Sequence, residues 1–226
     1  MRLMSDHLDP QFVTFDCYGT LIWFQMSQLA REILGPRIGP ALTPELLALF
    51  GAYRYDEACG DWKPYRQVIR DALRRTLGRH GLAYEQAEAD RLYDAIGTWG
   101  PHPDVPAGLA RLAQRHRLVI LSNAANDQIP ANVARLGAPF HAVYTAEQAR
   151  AYKPRLAAFE YMLDHLGCGP RDIAHVSSNP RYDLMPARDL GIRDAVYVNR
   201  GFEPSSPGYG YREIASIAEL PALFGM

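Results

Sequence analysis

The chain of 226 residues carries 24 Lys and Arg against 25 Asp and Glu, a formal net charge of -1, with 48% apolar and 22% charged residues. This is an ordinary globular composition, long enough for one large domain or for a core with a smaller insertion. It shows neither a basic field for nucleic acid nor an acidic tail. No apolar run approaches the roughly 18 residues of a membrane helix, and the opening MRLMSDHLDPQF lacks a signal peptide's apolar stretch.

In chain order, Phe12 to Phe15 is a short run of strand formers that meets a loop at Asp16. From about Ser27 the pattern turns helical. Leu29, Ile33 and Leu34 share one helical face. Thr43-Pro44-Glu45 reads as an N-cap with proline at the first helical position, opening a helix to about Asp56. Tyr65 to Leu77 and Glu85 to Ile96 are two further helices, and Arg70 to Arg79 reads as a solvated helix face. Beyond Gly100-Pro101-His102-Pro103 helices and strands alternate. Helices are expected over Val105–Gln114, Gln128–Leu136, Leu156–Leu166 and Leu184–Leu190, and strands over Leu118–Leu121, near Val143, over Ile173–Val176 and over Ala195–Val198. Alternation of this kind predicts an α/β fold, a Rossmann-like, mostly parallel sheet covered on both faces. The expected organisation is a core of residues 1–24 and 98–226, interrupted by an all-helical cap domain at 25–97.

In such sheets ligands bind beyond the carboxyl ends of the strands. Asp16 follows the first strand, Ser122 and Asn123 follow the second, and Lys153 lies in the loop after the third. Ser177, Ser178, Asn179 and Asp183 follow the fourth. Four loops thus bring polar groups to one edge. The three cysteines, Cys17, Cys59 and Cys168, are odd in number and far apart, which argues against a disulfide framework or a cysteine zinc site and for a reducing cytoplasm. Cys17 is expected to be a packed small residue, and His102 and His175 to be structural.

The segment FDCYGTL around Asp16 resembles the first motif of the haloacid dehalogenase superfamily. Ser122-Asn123, Lys153-Pro154 and SSNPRYD (177–183) resemble its second, third and fourth motifs, and the helical span resembles its cap. The resemblance implies a hydrolase in which Asp16 forms a covalent ester. Thr20 and Ser122 would orient an anionic small-molecule substrate, helped by backbone N–H groups. Lys153 would neutralise charge beside Asp16, and Asp183 would hold Lys153 or position the hydrolytic water. Asn179 belongs to the same catalytic group, and Asn123, Ser178 and Tyr182 are candidates for the substrate pocket. Family members often dimerise, so a homodimer is the expected assembly.

The superfamily's phosphatases place a second aspartate two residues after the nucleophile as general acid. Here that residue is Tyr18, whose phenol pKa of about 10 makes it a poor substitute. They also place an acid early in the fourth motif for Mg²⁺, which prefers carboxylate and phosphate oxygens; here Ser177-Ser178-Asn179 stands there. Departure of halide from carbon needs neither acid nor metal, so no metal or cofactor is expected. Tyr18 and the Ser-Ser-Asn run are what the family's L-2-haloacid dehalogenases show. The expected reaction is hydrolysis of short 2-haloacids to 2-hydroxy acids. The alternatives are a phosphatase or other hydrolase with a divergent acid and metal site, or a catalytically idle member that binds a ligand.

Three positions depart from the dehalogenase pattern. The arginine that would receive the halide from the cap has two candidates, Arg54 and Arg66, of which Arg54 is preferred. Phe159 stands six residues after Lys153, where a tyrosine is usual. Asn179 and Asp183 are four residues apart rather than three. Trp23 and Phe24 either line an apolar pocket between core and cap or pack in the core, and Tyr182 either walls that pocket or is simply packed.

Overall fold

In β1 (Phe12–Phe15) all four residues are buried, as a strand covered on both faces requires. The computed structural model describes residues 8–226, so the signal-peptide reading falls partly outside the described residues. Five more strands complete the sheet: β2 (Arg117–Ser122), β3 (Ala142–Thr145), β4 (Ile173–Ser177), β5 (Asp194–Val198) and β6 (Arg212–Ile214). Their order is β3-β2-β1-β4-β5-β6, and every pairing is parallel.

Side-chain alternation divides the core. Val13, Phe15, Leu118, Ile120, Ala174 and Val176 belong to one cluster with Leu109, Leu112 and Leu220, from α5 (Val105–Leu112) and α10 (Leu220–Leu223). Phe12, Val119, Leu121 and Ile173 join the other, with Phe159, Met162 and Leu163 of α8 (Leu156–Leu166). The short helices α6 (Ile129–Val133), α7 (Ala146–Ala149) and α9 (Met185–Asp189) lie in the remaining crossovers. Sheet register sets Phe15 between Ile120 and Val176. The residues that follow these strands therefore emerge at one edge, where the chain order reverses around β1.

Four helices lie between β1 and α5: α1 (Met26–Ile38), α2 (Thr43–Cys59), α3 (Tyr65–Arg79) and α4 (Gln86–Ala95). They pack on one another through α1–α2, α2–α3, α3–α4 and α1–α4 contacts. In α3, Val68, Ile69, Ala72, Leu73, Thr76 and Leu77 form the buried stripe. The arginines of this segment lie outward, with Arg70 on Asp90, Arg74 on Asp71, and Arg75 on Asp56 and Glu57. Thr43 is not the N-cap of α2. That position is Leu42, and the Thr43 hydroxyl donates to Gly39 O at 2.6 Å. The threonine hydroxyl is satisfied by the carbonyl four residues back, ahead of the helix, rather than by capping a backbone N–H of its first turn.

The helical insertion is clasped to the sheet on two sides. Tyr152 donates to Lys63 O (2.8 Å) and Arg155 to Gly60 O (3.2 Å). On the other side Tyr93 donates to Asp127 (2.7 Å), and Gln128 donates to Tyr93 O (3.0 Å). Among the described residues, no helix is long and apolar enough to cross a membrane.

Candidate active site

Asp16 is buried just beyond β1, and its two carboxylate oxygens are held differently. Oδ1 accepts from Lys153 Nζ at 2.9 Å and Oδ2 from the Thr20 hydroxyl at 2.7 Å. Burial raises the pKa of Asp16 above the ordinary carboxylate range; the Lys153 charge opposes this and the nearby Asp183 charge adds to it. Cys17, next in the chain, is fully buried, and burial together with Asp16 drives its thiol pKa upward. The thiolate a cysteine nucleophile needs is thus suppressed, and Asp16 is the group equipped to attack.

Lys153 is 1% exposed and uses all three of its donors. They go to Asp16 Oδ1 (2.9 Å), Asp183 Oδ1 (2.7 Å) and Leu121 O (2.8 Å). Burial disfavours its charge, but the two carboxylates outweigh burial and hold its pKa above the ordinary lysine value. Asn123 fixes the backbone of Lys153, donating to Lys153 O (2.9 Å) and accepting from Lys153 N (2.7 Å). The Asn123 amide, assigned to the substrate from sequence, thus works as a clamp on the lysine.

Asp183 lies behind Lys153, with no exposed surface. Its Oδ1 also faces His175 Nε2 (3.0 Å), and its Oδ2 accepts from Ser177 (2.9 Å). Burial opposes its charge, but Lys153 and His175 hold its pKa below the usual value. Of the two roles the resemblance implies, this geometry serves the holding of Lys153. The four-residue spacing from Asn179 is accommodated by a π-helical turn (Pro180–Leu184), which absorbs the extra residue and still delivers the carboxylate to the lysine. Asn179 shapes this turn: its Oδ1 accepts from Tyr182 N at 2.8 Å.

Tyr18 turns its hydroxyl away from the nucleophile, donating to Asn132 Oδ1 at 2.8 Å. Burial raises its pKa, so the phenol keeps its proton. Thr20 accepts from Ser178 N (2.9 Å), and its hydroxyl lies 3.2 Å from Ser178 Oγ, locking the first motif to the fourth. Gly19 sits between them at φ +96°, where a Cβ would stand 3.3 Å from Ser178 Oγ. Gly19→Ala is expected to destabilise the fold by about 1–2 kcal/mol through that conformation, read as a lower urea midpoint at unchanged slope.

A cavity of about 750 Å³ opens above Asp16. Tyr18, Ser122, Asn123, Lys153, Ser178, Asn179, Tyr182 and Arg54 all line it. Ser122 is the notable member: its buried hydroxyl has no hydrogen-bond partner among the described residues, which makes it available to a ligand. Arg54 lies between the rings of Phe24 and Phe50, each 5.2 Å from its guanidinium carbon. It donates to Tyr65 at 3.4 Å, its Nε is buried without a partner, and no carboxylate among the described residues pairs with it. Arg66, the other candidate, is spent on Asp90 and Asp94.

Phe24 reaches the cavity, but Trp23 does not. Trp23 is 52% exposed and stacks on His102, whose Nε2 bonds to Gly19 O at 3.2 Å. Adjacent residues of an extended segment point to opposite sides, so one aromatic goes inward and the other outward. Phe159 is buried edge-on to His175 at 5.3 Å, with no hydroxyl to offer, while Tyr161 packs on Tyr144 and His165.

His175, expected to be structural, bridges Thr14 (2.8 Å) and Asp183 (3.0 Å) inside the core, partners that sequence reasoning did not assign. The available signal was strand alternation: His175 and Ser177 point to the same face of β4, and both reach Asp183. Asn132, the Tyr18 acceptor, also donates to Ile96 O (3.0 Å) and Trp99 O (2.9 Å), and no local pattern marked it.

The donor set does not suit Mg²⁺. Positions 18 and 178 carry no carboxylate, and the oxygens of Asp183 are committed to Lys153, His175 and Ser177. Among the described residues, no cluster of three His, Cys, Asp or Glu side chains is arranged to hold a metal.

A parallel α/β sheet that presents a lysine-held aspartate beneath a helical insertion defines a hydrolase of the covalent-aspartate type. The sequence model of the haloacid dehalogenase-like hydrolases matches residues 11–191, and the chain belongs to that family. It is 33% identical over 183 residues to an (S)-2-haloacid dehalogenase of Xanthobacter autotrophicus, covering 80% of this chain and 72% of that protein. It is 31% identical over 196 residues to the haloacetate dehalogenase H-2 of a Moraxella species, covering 83% and 85%. The solved L-2-haloacid dehalogenase of Xanthobacter autotrophicus with chloropropionic acid covalently bound shares the fold. Its TM-score is 0.76 at 23% identity, over 95% of this chain and 98% of that one.

Proposed function

We propose that this chain is a hydrolytic 2-haloacid dehalogenase that acts through an Asp16 ester. In this reading residues 1–24 and 98–226 are the core and 25–97 the cap. The observation that carries the proposal is the pairing of one attacking carboxylate with one unpaired cation. Asp16 lies at the base of the cavity, and Arg54 lines it with no carboxylate partner among the described residues. The acids a phosphatase would use at positions 18 and 178 are replaced by Tyr18 and Ser178.

The substrate carboxylate accepts from the free Ser122 hydroxyl and from backbone N–H groups of the first motif. An Asp16 oxygen attacks C2; the carbon–halogen bond breaks and halide leaves with the bonding pair toward Arg54. Halide is a weak base, so Tyr18 need not give up its proton. Water then adds to the Asp16 ester carbonyl, and the acyl–oxygen bond breaks. The 2-hydroxy acid and a proton are released, and Asp16 is a carboxylate again. Lys153, held by Asp183, fixes Asp16 and offsets its charge as the anionic substrate approaches.

The test is chloride release from (S)-2-chloropropionate. Release above an Asp16→Asn control supports the proposal, and none above that control overturns it. Arg54→Ala is expected to lower kcat/KM by about 10²–10³-fold, the cost of removing one preorganised donor to developing charge. Arg66→Ala, a surface ion-pair residue, is expected to change it little. Equal effects of the two would remove Arg54 from the mechanism.

A further inference from the structure

The cavity is far larger than a two- or three-carbon acid requires. At about 750 Å³ it falls within the roughly 300–1,000 Å³ that holds drug-sized ligands. The insertion above it is fastened to the sheet by the Tyr152–Lys63 and Tyr93–Asp127 hydrogen bonds.

Its lining divides by chemistry. Ser122 and Lys153 stand at the Asp16 end, while Phe24, Tyr55, Tyr65 and Tyr152 contribute aromatic wall. The Tyr152 phenol is committed, donating to Lys63 O at 2.8 Å, while the Tyr65 phenol accepts from Arg54 at 3.4 Å. The phenol of Tyr18 is likewise bound to Asn132. Tyr152 and Tyr18 can therefore offer a ligand ring surface rather than a donor. On the α2 side the wall is low, because Ala48, Gly51 and Ala52 line it. A Cβ built on Gly51 meets nothing within 4 Å.

Resting on the dehalogenase reading, we propose that the preferred substrates are (S)-2-haloacids with an aromatic group on the C2 substituent. The ring lies between the tyrosine rings and the small residues of α2. The reacting atoms are those of the short acids: an Asp16 oxygen bonds to C2, halide departs with the bonding pair, and water cleaves the ester. The added ring is buried against aromatic surface, which favours offset or edge-on contact. Because the ring is remote from C2, its binding energy is available to orient the reacting centre.

The experiment compares chloride release from (S)-2-chloro-3-phenylpropionate and (S)-2-chloropropionate, in the wild-type chain and in Gly51→Leu. The expected kcat/KM is higher for the phenyl acid by about tenfold or more, the scale of discrimination an apolar pocket gives. Gly51→Leu is expected to reduce that preference about tenfold by filling the space, and Ala48→Leu serves if Gly51→Leu does not fold. A phenyl acid turned over no better than the short one overturns the proposal. A preference unchanged by a folded variant overturns the placement of the ring. If neither acid releases chloride, the dehalogenase reading itself falls; if only the short one does, that reading stands and this inference alone is lost.

Discussion

Asp16→Asn is expected to lower kcat by more than about 10³-fold while leaving the fold in place. A carboxamide is a poor nucleophile, and no other group at the site can replace it. Cys17 is held as a thiol, Tyr18 is turned to Asn132, and Asp183 is enclosed behind Lys153. The change is nearly isosteric, so the circular dichroism spectrum should be that of the wild type. Halide release within a few-fold of wild type would show that Asp16 is not the attacking group.

Lys153→Met is expected to damage both rate and stability, with a sign that pH reveals. Burial and the Asp183 charge already raise the pKa of Asp16, and Lys153 opposes them. Attack needs the carboxylate, so activity falls as pH drops through the raised value. The wild-type acid limb should lie above the ordinary carboxylate pKa of about 4. Without the ammonium, the Asp16 pKa rises further and the limb moves toward neutrality. The rate above that limb should fall about 10²–10³-fold through loss of preorganised charge. Stability at neutral pH should drop by about 3–5 kcal/mol, because two buried carboxylates lose the cation between them. Titrating kcat/KM and urea denaturation against pH measures both. An acid limb at the wild-type position would contradict the charge assignment.

Much of this architecture could be read directly from the sequence because its causes are local. The strands around Asp16, Ser122 and Ser177 are short apolar runs that end in polar residues, and a parallel sheet brings such ends to one edge. The stripe of α3 declares itself by helical spacing. What escaped depends on contacts between distant residues. β6 is a three-residue edge strand whose Arg212 and Glu213 are exposed, so no apolar period marks it. The place of Asp183 depends on a π-turn that spacing alone does not reveal. Asn123 was placed in the substrate pocket by its motif and lines the cavity, but its amide also meets Lys153, thirty residues on, which no local pattern reveals. Arg54 and Arg66 are similar in sequence, and only their surroundings separate them: aromatic rings and the cavity for one, Asp90 and Asp94 for the other.

In the proposed mechanism Asp16 itself, rather than an activated water, displaces the halide. A single turnover in oxygen-18 water, with enzyme in excess over (S)-2-chloropropionate, tests it directly. Attack by Asp16 puts a protein oxygen into the 2-hydroxy acid and leaves solvent oxygen in the carboxylate. An unlabelled product and an Asp16 peptide heavier by one oxygen-18 substitution are expected. Labelled product with an unlabelled Asp16 would contradict it.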